Sequence, residues 1–230
     1  MPEPFSIEID PGERVSGRIY RATPERRAGI ALLLAHGAGA GQTSPFLVRF
    51  ATGLAERGIA VVTFNFDYME RHRRVPDPNH KLETCYRAAI RGARSHGRLA
   101  EDRLAIGGKS MGGRIASQVA AGGIDDVSAL VFLGYPLHPP GKPAELRAAH
   151  LPQIKIPMLF VQGSRDSFGT PAELRPIVEK LRGNAELHVV DHGDHSFKVP
   201  KRTGVAQEAI YDAILDGISA WLRRVLTTAS

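Results

Sequence analysis

The segment Gly108-Lys109-Ser110-Met111-Gly112 sets a serine between two glycines, directly after the apolar run Leu104-Ala105-Ile106 and before a helix-period stretch. A serine carried on a sharp strand-to-helix turn needs neighbours without Cβ atoms, because the two backbones approach closely there. The turn also brings the positive end of the helix to the hydroxyl. This is the setting of a nucleophile, which requires a base to take its proton and an acid to orient that base. Both occur where later apolar runs end. Asp166 follows Val161-Gln162-Gly163-Ser164-Arg165, and His192 and His195 follow Val189-Val190-Asp191. Either histidine could serve, with Asp191 or Asp194 as a local partner. His195 is preferred, since the Gly193-Asp194 turn precedes it and Phe197 can anchor the loop beside it. The competing role for Asp166 is a turn or capping carboxylate ahead of the helix that Thr170-Pro171 opens.

An acyl-transfer site also needs donors for a developing oxyanion. Met111 supplies a backbone N–H at the helix start, and Ala38, in His36-Gly37-Ala38-Gly39-Ala40-Gly41, is the candidate for the second. Two nucleotide-binding readings fail on spacing. A phosphate loop ending in Gly108-Lys109-Ser110 requires glycine five residues before Gly108, where Arg103 stands. The loop at 36–41 lacks the third glycine of a dinucleotide fingerprint, with Gln42 and Ser44 at the positions three beyond Gly39 and Gly41.

The elements that must position these residues are legible from period. Short apolar runs at 30–36, 60–66, 104–108, 129–133, 158–163 and 185–190 lack polar alternation and read as buried parallel strands. Helix-period segments at 46–57, 81–95, 110–121, 171–182 and 205–226 fall between and after them. The alternation predicts an α/β fold with a doubly wound, mostly parallel sheet. Residues 6–9 and 15–20, joined by Pro11-Gly12, predict an antiparallel hairpin at one sheet edge. The proline-rich stretch 134–157, with a short helix expected at 144–149, is too small for a cap domain. One domain spanning 1–230 is expected, and its three candidate side chains lie at strand carboxyl ends, where sites form in open α/β sheets.

Composition narrows the partners. With 43% hydrophobic and 23% charged residues the 230-residue chain has the make-up of a globular domain. The net charge of +6 is scattered, and only seven of the 30 basic residues are lysine. The one dense cluster, Arg71-His72-Arg73-Arg74, has no interleaved aromatic platform, so nucleic acid is not an expected partner. The longest aliphatic run, Ile30–Ala35, is far short of the roughly 20 residues of a spanning helix. With no signal-like leader, a cytoplasmic location is expected. Cys85, the only cysteine, falls on an apolar helix face with Leu82, Ala89 and Ala93 and is expected in the core; no metal or other cofactor is implied.

Taken together, His36-Gly-Ala-Gly, Gly108-Lys-Ser110-Met-Gly-Gly, Gly163-Ser-Arg-Asp166 and Gly193-Asp-His195-Ser-Phe resemble the α/β-hydrolase superfamily, in its small capless branch near the dienelactone hydrolases. More narrowly, Asn65-Phe-Asp-Tyr-Met-Glu70 and Gly134-Tyr-Pro-Leu-His-Pro-Pro-Gly141 resemble a bacterial family related to the hydrolase-like domain of a eukaryotic chromatin-complex subunit. The resemblance implies a Ser110–Asp166–His195 triad with Met111 and Ala38 as oxyanion donors. Dienelactone hydrolases use cysteine as nucleophile, so Ser110 marks a departure and their substrate does not transfer. Cleavage of a small ester, thioester or lactone is the expected activity; the alternative is a non-catalytic hydrolase-like interaction module. Tyr68 and Arg71 after one strand, and Tyr135 and His138 after another, are expected at the mouth of the site. The Arg71–Arg74 cluster is a candidate selector of an acidic group.

Overall fold

The computed structural model describes residues 1–181 and 183–227. The chain runs β1 (Glu3–Asp10), β2 (Glu13–Tyr20), β3 (Ile30–Ala35), α1 (Pro45–Glu56), β4 (Ala60–Phe64), α2 (Asp67–Glu70), α3 (Asn79–Arg94), β5 (Arg103–Lys109), α4 (Met111–Ala121), β6 (Ala129–Leu133), β7 (Met158–Gly163), α5 (Pro171–Lys180), β8 (Ala185–Val190) and α6 (Gln207–Thr227). The eight strands form one sheet in the order β1-β2-β4-β3-β5-β6-β7-β8. Strands β3 to β8 pair in parallel, while β1 and β2 form an antiparallel hairpin whose inner strand joins β4.

Period 2 decides which helix each strand residue meets. Ala31, Leu33 and Ala35 face a core shared with Leu82 and Tyr86 of α3, Ile115 of α4 and Leu174 of α5. Ile30, Leu32 and Leu34 face the opposite core, shared with Phe50 and Leu54 of α1 and Ile214 and Trp221 of α6. Both faces of the central strands are therefore covered, which is why these runs carry no polar alternation. Cys85 lies in the first core, its thiol pushed up to about 12 by burial.

Most elements match the expected ones to within a few residues. α3 begins at Asn79 rather than 81, immediately after Pro78, and α6 begins at Gln207 rather than 205. The Gln207 side chain accepts from Val199 N–H and donates to Phe197 O, which ties the helix start to the preceding loop. The expected end of α5 at 182, and positions 228–230 of the expected single domain, lie outside the described residues. The four-residue α2 is too short to leave a periodic signal.

The helix expected at 144–149 does not form. Arg147 N–H bonds to Leu137 O at 2.8 Å and Arg147 O accepts from the Tyr135 hydroxyl at 2.8 Å, so its backbone groups are satisfied by other segments. The only regular piece described between β6 and β7 is a 3-10 turn at Leu151–Gln153.

Candidate active site

β5 delivers Ser110 to the carboxyl edge of the sheet. Ser110 has φ 51° and ψ −116°, a conformation that costs a non-glycine residue on the order of 1–3 kcal/mol. It occupies the position preceding α4, yet its side chain makes no capping bond, although serine at a helix start ordinarily does. The turn thus keeps the hydroxyl off the helix. Close packing makes the turn possible: a Cβ on Gly108 would stand 2.6 Å from Gly112 C, and one on Gly112 would stand 2.6 Å from both Ala35 O and His36 O.

Asp166, in the loop after β7, is wholly buried. Its Oδ2 accepts from His195 Nδ1–H at 2.7 Å and from Gln162 Nε2–H at 2.8 Å, and its Oδ1 accepts from Phe168 N–H at 2.8 Å. Facing a carboxylate, Nδ1 carries the imidazole proton, which leaves Nε2 as the available base. Phe168 lies against the His195 ring with centroids 4.3 Å apart. Asp194 shapes the histidine loop by accepting at Oδ1 from Ser196 N–H and Lys198 N–H. His192 is exposed at the far side of this loop, where its N–H bonds to Ser164 Oγ. Of the two candidate histidines, His195 is the one that meets Asp166.

A cavity of about 850 Å³ opens over these groups. Ser110, Met111, Ala38 and His195 all line it, so the sequence candidates for nucleophile, base and both oxyanion donors face one space. Ser110 Oγ has no hydrogen-bond partner among the described residues; bonds of this kind commonly tighten only when substrate binds.

The four expected mouth residues do not line this cavity. Tyr68 is fully buried against the His36 ring, and burial pushes its hydroxyl up to about 12. Arg71 is paired with Asp67 and Glu13 and borders a separate cleft. Tyr135 is buried, its hydroxyl donating to Arg147 O and its N–H to Gln162 Oε1. His138 is buried with Nε2 3.3 Å from Glu173 Oε1. Each follows a strand end as expected, but the loop path buries Tyr68, Tyr135 and His138 and turns exposed Arg71 aside toward Asp67 and Glu13.

Three polar residues matter that spacing did not single out. Gln162, fully buried, ties Asp166 to the backbone of Tyr135 and, through Nε2, to Gly169 O. His36, also buried, donates from Nδ1 to Gly37 O and accepts Phe66 N–H at Nε2, which fixes the start of the Ala38 loop against β4. Burial lowers its pKa to about 4, against a smaller opposing effect of the Gly37 bond, and keeps it neutral. Lys109 is buried beside Ser110, its Nζ without a hydrogen-bond partner among the described residues and 5.7 Å from the Phe46 ring centre. Burial lowers its pKa to about 7, outweighing attraction to Asp166 and Asp194. No group of metal-ligating side chains is present among the described residues.

Residues 28–223 match a family model described as an alpha/beta hydrolase domain. Among solved structures, a serine hydrolase without lid from Xanthomonas campestris aligns with a TM-score of 0.74 at 19% identity, covering 96% of this chain and 94% of that one. A dienelactone hydrolase from Anabaena variabilis aligns with a TM-score of 0.72 at 22% identity over 98% and 99% of the two chains. An esterase from Pyrococcus furiosus aligns with a TM-score of 0.76 at 15% identity over 98% and 92%. These likenesses establish the shared fold.

Proposed function

Because the chain belongs to the alpha/beta hydrolase domain family, we propose that it is a serine hydrolase cleaving a small ester, thioester or lactone through an acyl-enzyme. The observation that carries this reading is the strained, uncapped Ser110 facing the same cavity as a histidine whose other nitrogen is held by buried Asp166. His195 Nε2 takes the Ser110 proton as Oγ attacks the acyl carbonyl. The Met111 and Ala38 N–H groups hold the oxyanion. The carbonyl re-forms, the bond to the leaving group breaks, and that group departs with the proton from His195. Water then adds to the acyl-enzyme by the same route, releasing the acid and restoring Ser110.

A non-catalytic interaction module, the alternative reading of the sequence, has no use for a strained serine or for a buried carboxylate spent on orienting one imidazole. Among the described residues no helix is long and apolar enough to cross a membrane. We place the protein in the cytoplasm, acting on small molecules.

The test is hydrolysis of a panel of short and long acyl esters, thioesters and lactones by the parent protein and by Ser110→Ala, His195→Gln and Asp166→Asn. Loss of Ser110 or His195 is expected to lower turnover by about 10⁴- to 10⁶-fold, and Asp166→Asn by about 10⁴-fold. Turnover by the parent that survives Ser110→Ala would exclude the reading.

A further inference from the structure

The cavity over Ser110 is lined by an aromatic group, in which Phe50 packs against Phe46 and Tyr211, and by cations that include the neighbouring pair Arg114 and Arg147 as well as Arg49, Lys109 and Lys198. Arg114 lies one helical turn beyond the nucleophile, its N–H bonded to Ser110 O, which places its Cα about 6 Å further along α4. Arg147 is fixed at the rim by the two backbone bonds that replace the expected helix at 144–149.

These guanidinium groups differ from the other arginines around them. Arg49, on the same cavity wall, is paired with Glu208 and Asp212 at 2.8 and 2.9 Å. Arg71 and Arg73, in the cluster that the sequence offered as an anion selector, are both paired with Asp67. Arg114 instead donates to two neutral amide oxygens, Gln118 Oε1 at 3.4 Å and Asn79 Oδ1 at 3.2 Å. Among the described residues no carboxylate lies within ion-pair distance of Arg114 or Arg147. The acidic side chains that line the cavity are already engaged, Asp77 by Arg73 at 2.7 Å and Glu208 by Arg49. Burial first, and then the neighbouring Arg147, lower the pKa of Arg114, outweighing the opposing effects of Tyr135 and Glu83, so its charge is held at a net cost that a closer anion would relieve.

Resting on the serine-hydrolase reading, we propose that the substrate carries a carboxylate that Arg114 and Arg147 hold in the cavity while Ser110 attacks its ester or lactone carbonyl. The planar guanidinium fork suits a carboxylate, and a charge-assisted pair in a partly dry cavity discriminates against the neutral analogue. The remaining surface, with Phe46 and Phe50, suits an apolar portion of the same molecule. Selection of an acidic group is thereby moved from the Arg71–Arg74 cluster, of which Arg71 and Arg73 border another cleft, to the cavity that holds Ser110.

The experiment compares kcat/KM for matched neutral and acidic esters. One pair carries the carboxylate on the acyl part, 4-nitrophenyl butyrate against 4-nitrophenyl hemiglutarate. The other carries it on the leaving part, phenyl acetate against 3-acetoxybenzoate. In the parent protein the acidic member of at least one pair is expected to exceed its neutral counterpart by about 10- to 100-fold. Arg147 is exposed, so its variants are expected to fold. Arg147→Gln should lower the acidic-to-neutral ratio about tenfold, Arg147→Glu should bring it below one, and Arg147→Lys should retain part of it. Arg71→Gln should leave the ratio as it is.

Acidic esters no better than neutral ones in both pairs, a ratio indifferent to Arg147→Glu, or a ratio lost in Arg71→Gln would each overturn the proposal. Neutral ester turnover together with Ser110 labelling by a fluorophosphonate reports on the hydrolase reading separately. If that reading fails, the proposal fails with it; if only the ratio fails, the hydrolase reading stands.

Discussion

Lys109→Met isolates the energetic effect of the buried amine beside the nucleophile. Burial lowers the pKa of Lys109 from the ordinary 10.5 to about 7, and its Nζ has no hydrogen-bond partner among the described residues. Between these two pH values the unfolded chain holds one more proton than the folded chain, so this group makes stability rise with pH. Below about pH 7 the amine is charged in both states and the folded state bears the full desolvation cost; above 10.5 it is neutral in both and that cost vanishes. At 1.36 kcal/mol per pH unit the interval corresponds to at most about 5 kcal/mol. Water entry and side-chain relaxation reduce this to about 2–5 kcal/mol. Methionine keeps the unbranched shape without the charge, so the variant should be the more stable protein at pH 6, with the difference narrowing as pH rises toward 10.5. Urea unfolding of both proteins across that range measures the difference, in which contributions from all other titrating groups cancel to first order. A difference that does not change with pH, or a variant less stable than the parent at pH 6, would refute the reasoning.

Other positions give complementary tests. Gly112→Ala would set a methyl 2.6 Å from Ala35 O and His36 O, so α4 must move away from the end of β3. Thermal denaturation should show a loss of about 1–3 kcal/mol, with turnover falling as Ser110 moves. Gln162→Leu deprives Asp166 Oδ2 of one donor and leaves Tyr135 N–H unpaired, at a cost of about 1–3 kcal/mol by urea unfolding together with slower turnover. For His36, whose folded pKa is lowered from 6.5 to about 4, the sign is that of a buried neutral base. Its contribution is fully present above 6.5 and is lost as pH falls toward 4. His36→Gln should remove up to about 3 kcal/mol of the parent's acid sensitivity over that interval, measured as unfolding free energy against pH.

Much of this architecture was legible because the relevant signals are local. Strand faces follow from period 2, and the Ser110 turn is marked by Gly108, whose missing Cβ the close approach of β5 and α4 requires, and by Gly112, whose missing Cβ lets α4 lie against the end of β3. Asp166 and His195 were found from their places after strand ends, and their meeting at 2.7 Å follows from the parallel pairing of β7 with β8. The mouth residues were not legible by the same rule. A strand end places a residue near the carboxyl edge, but loop path decides where its side chain turns. Tyr135 is drawn inward by Arg147 O, and Arg71 is drawn aside by Asp67 and Glu13. Arg114 could have been reached from its spacing of four residues from Ser110 on one helix face. Arg147 could not, because its place depends on non-local bonds within a proline-rich stretch that has no period.

The central claim is that Ser110 is a nucleophile activated by the His195–Asp166 pair. The most direct measurement is intact-mass and peptide analysis of native protein treated with a fluorophosphonate. One phosphonyl adduct on Ser110 is expected, with none on Ser110→Ala and greatly slowed labelling of His195→Gln. Folded parent protein that stays unlabelled, or that is labelled at another residue, would contradict it.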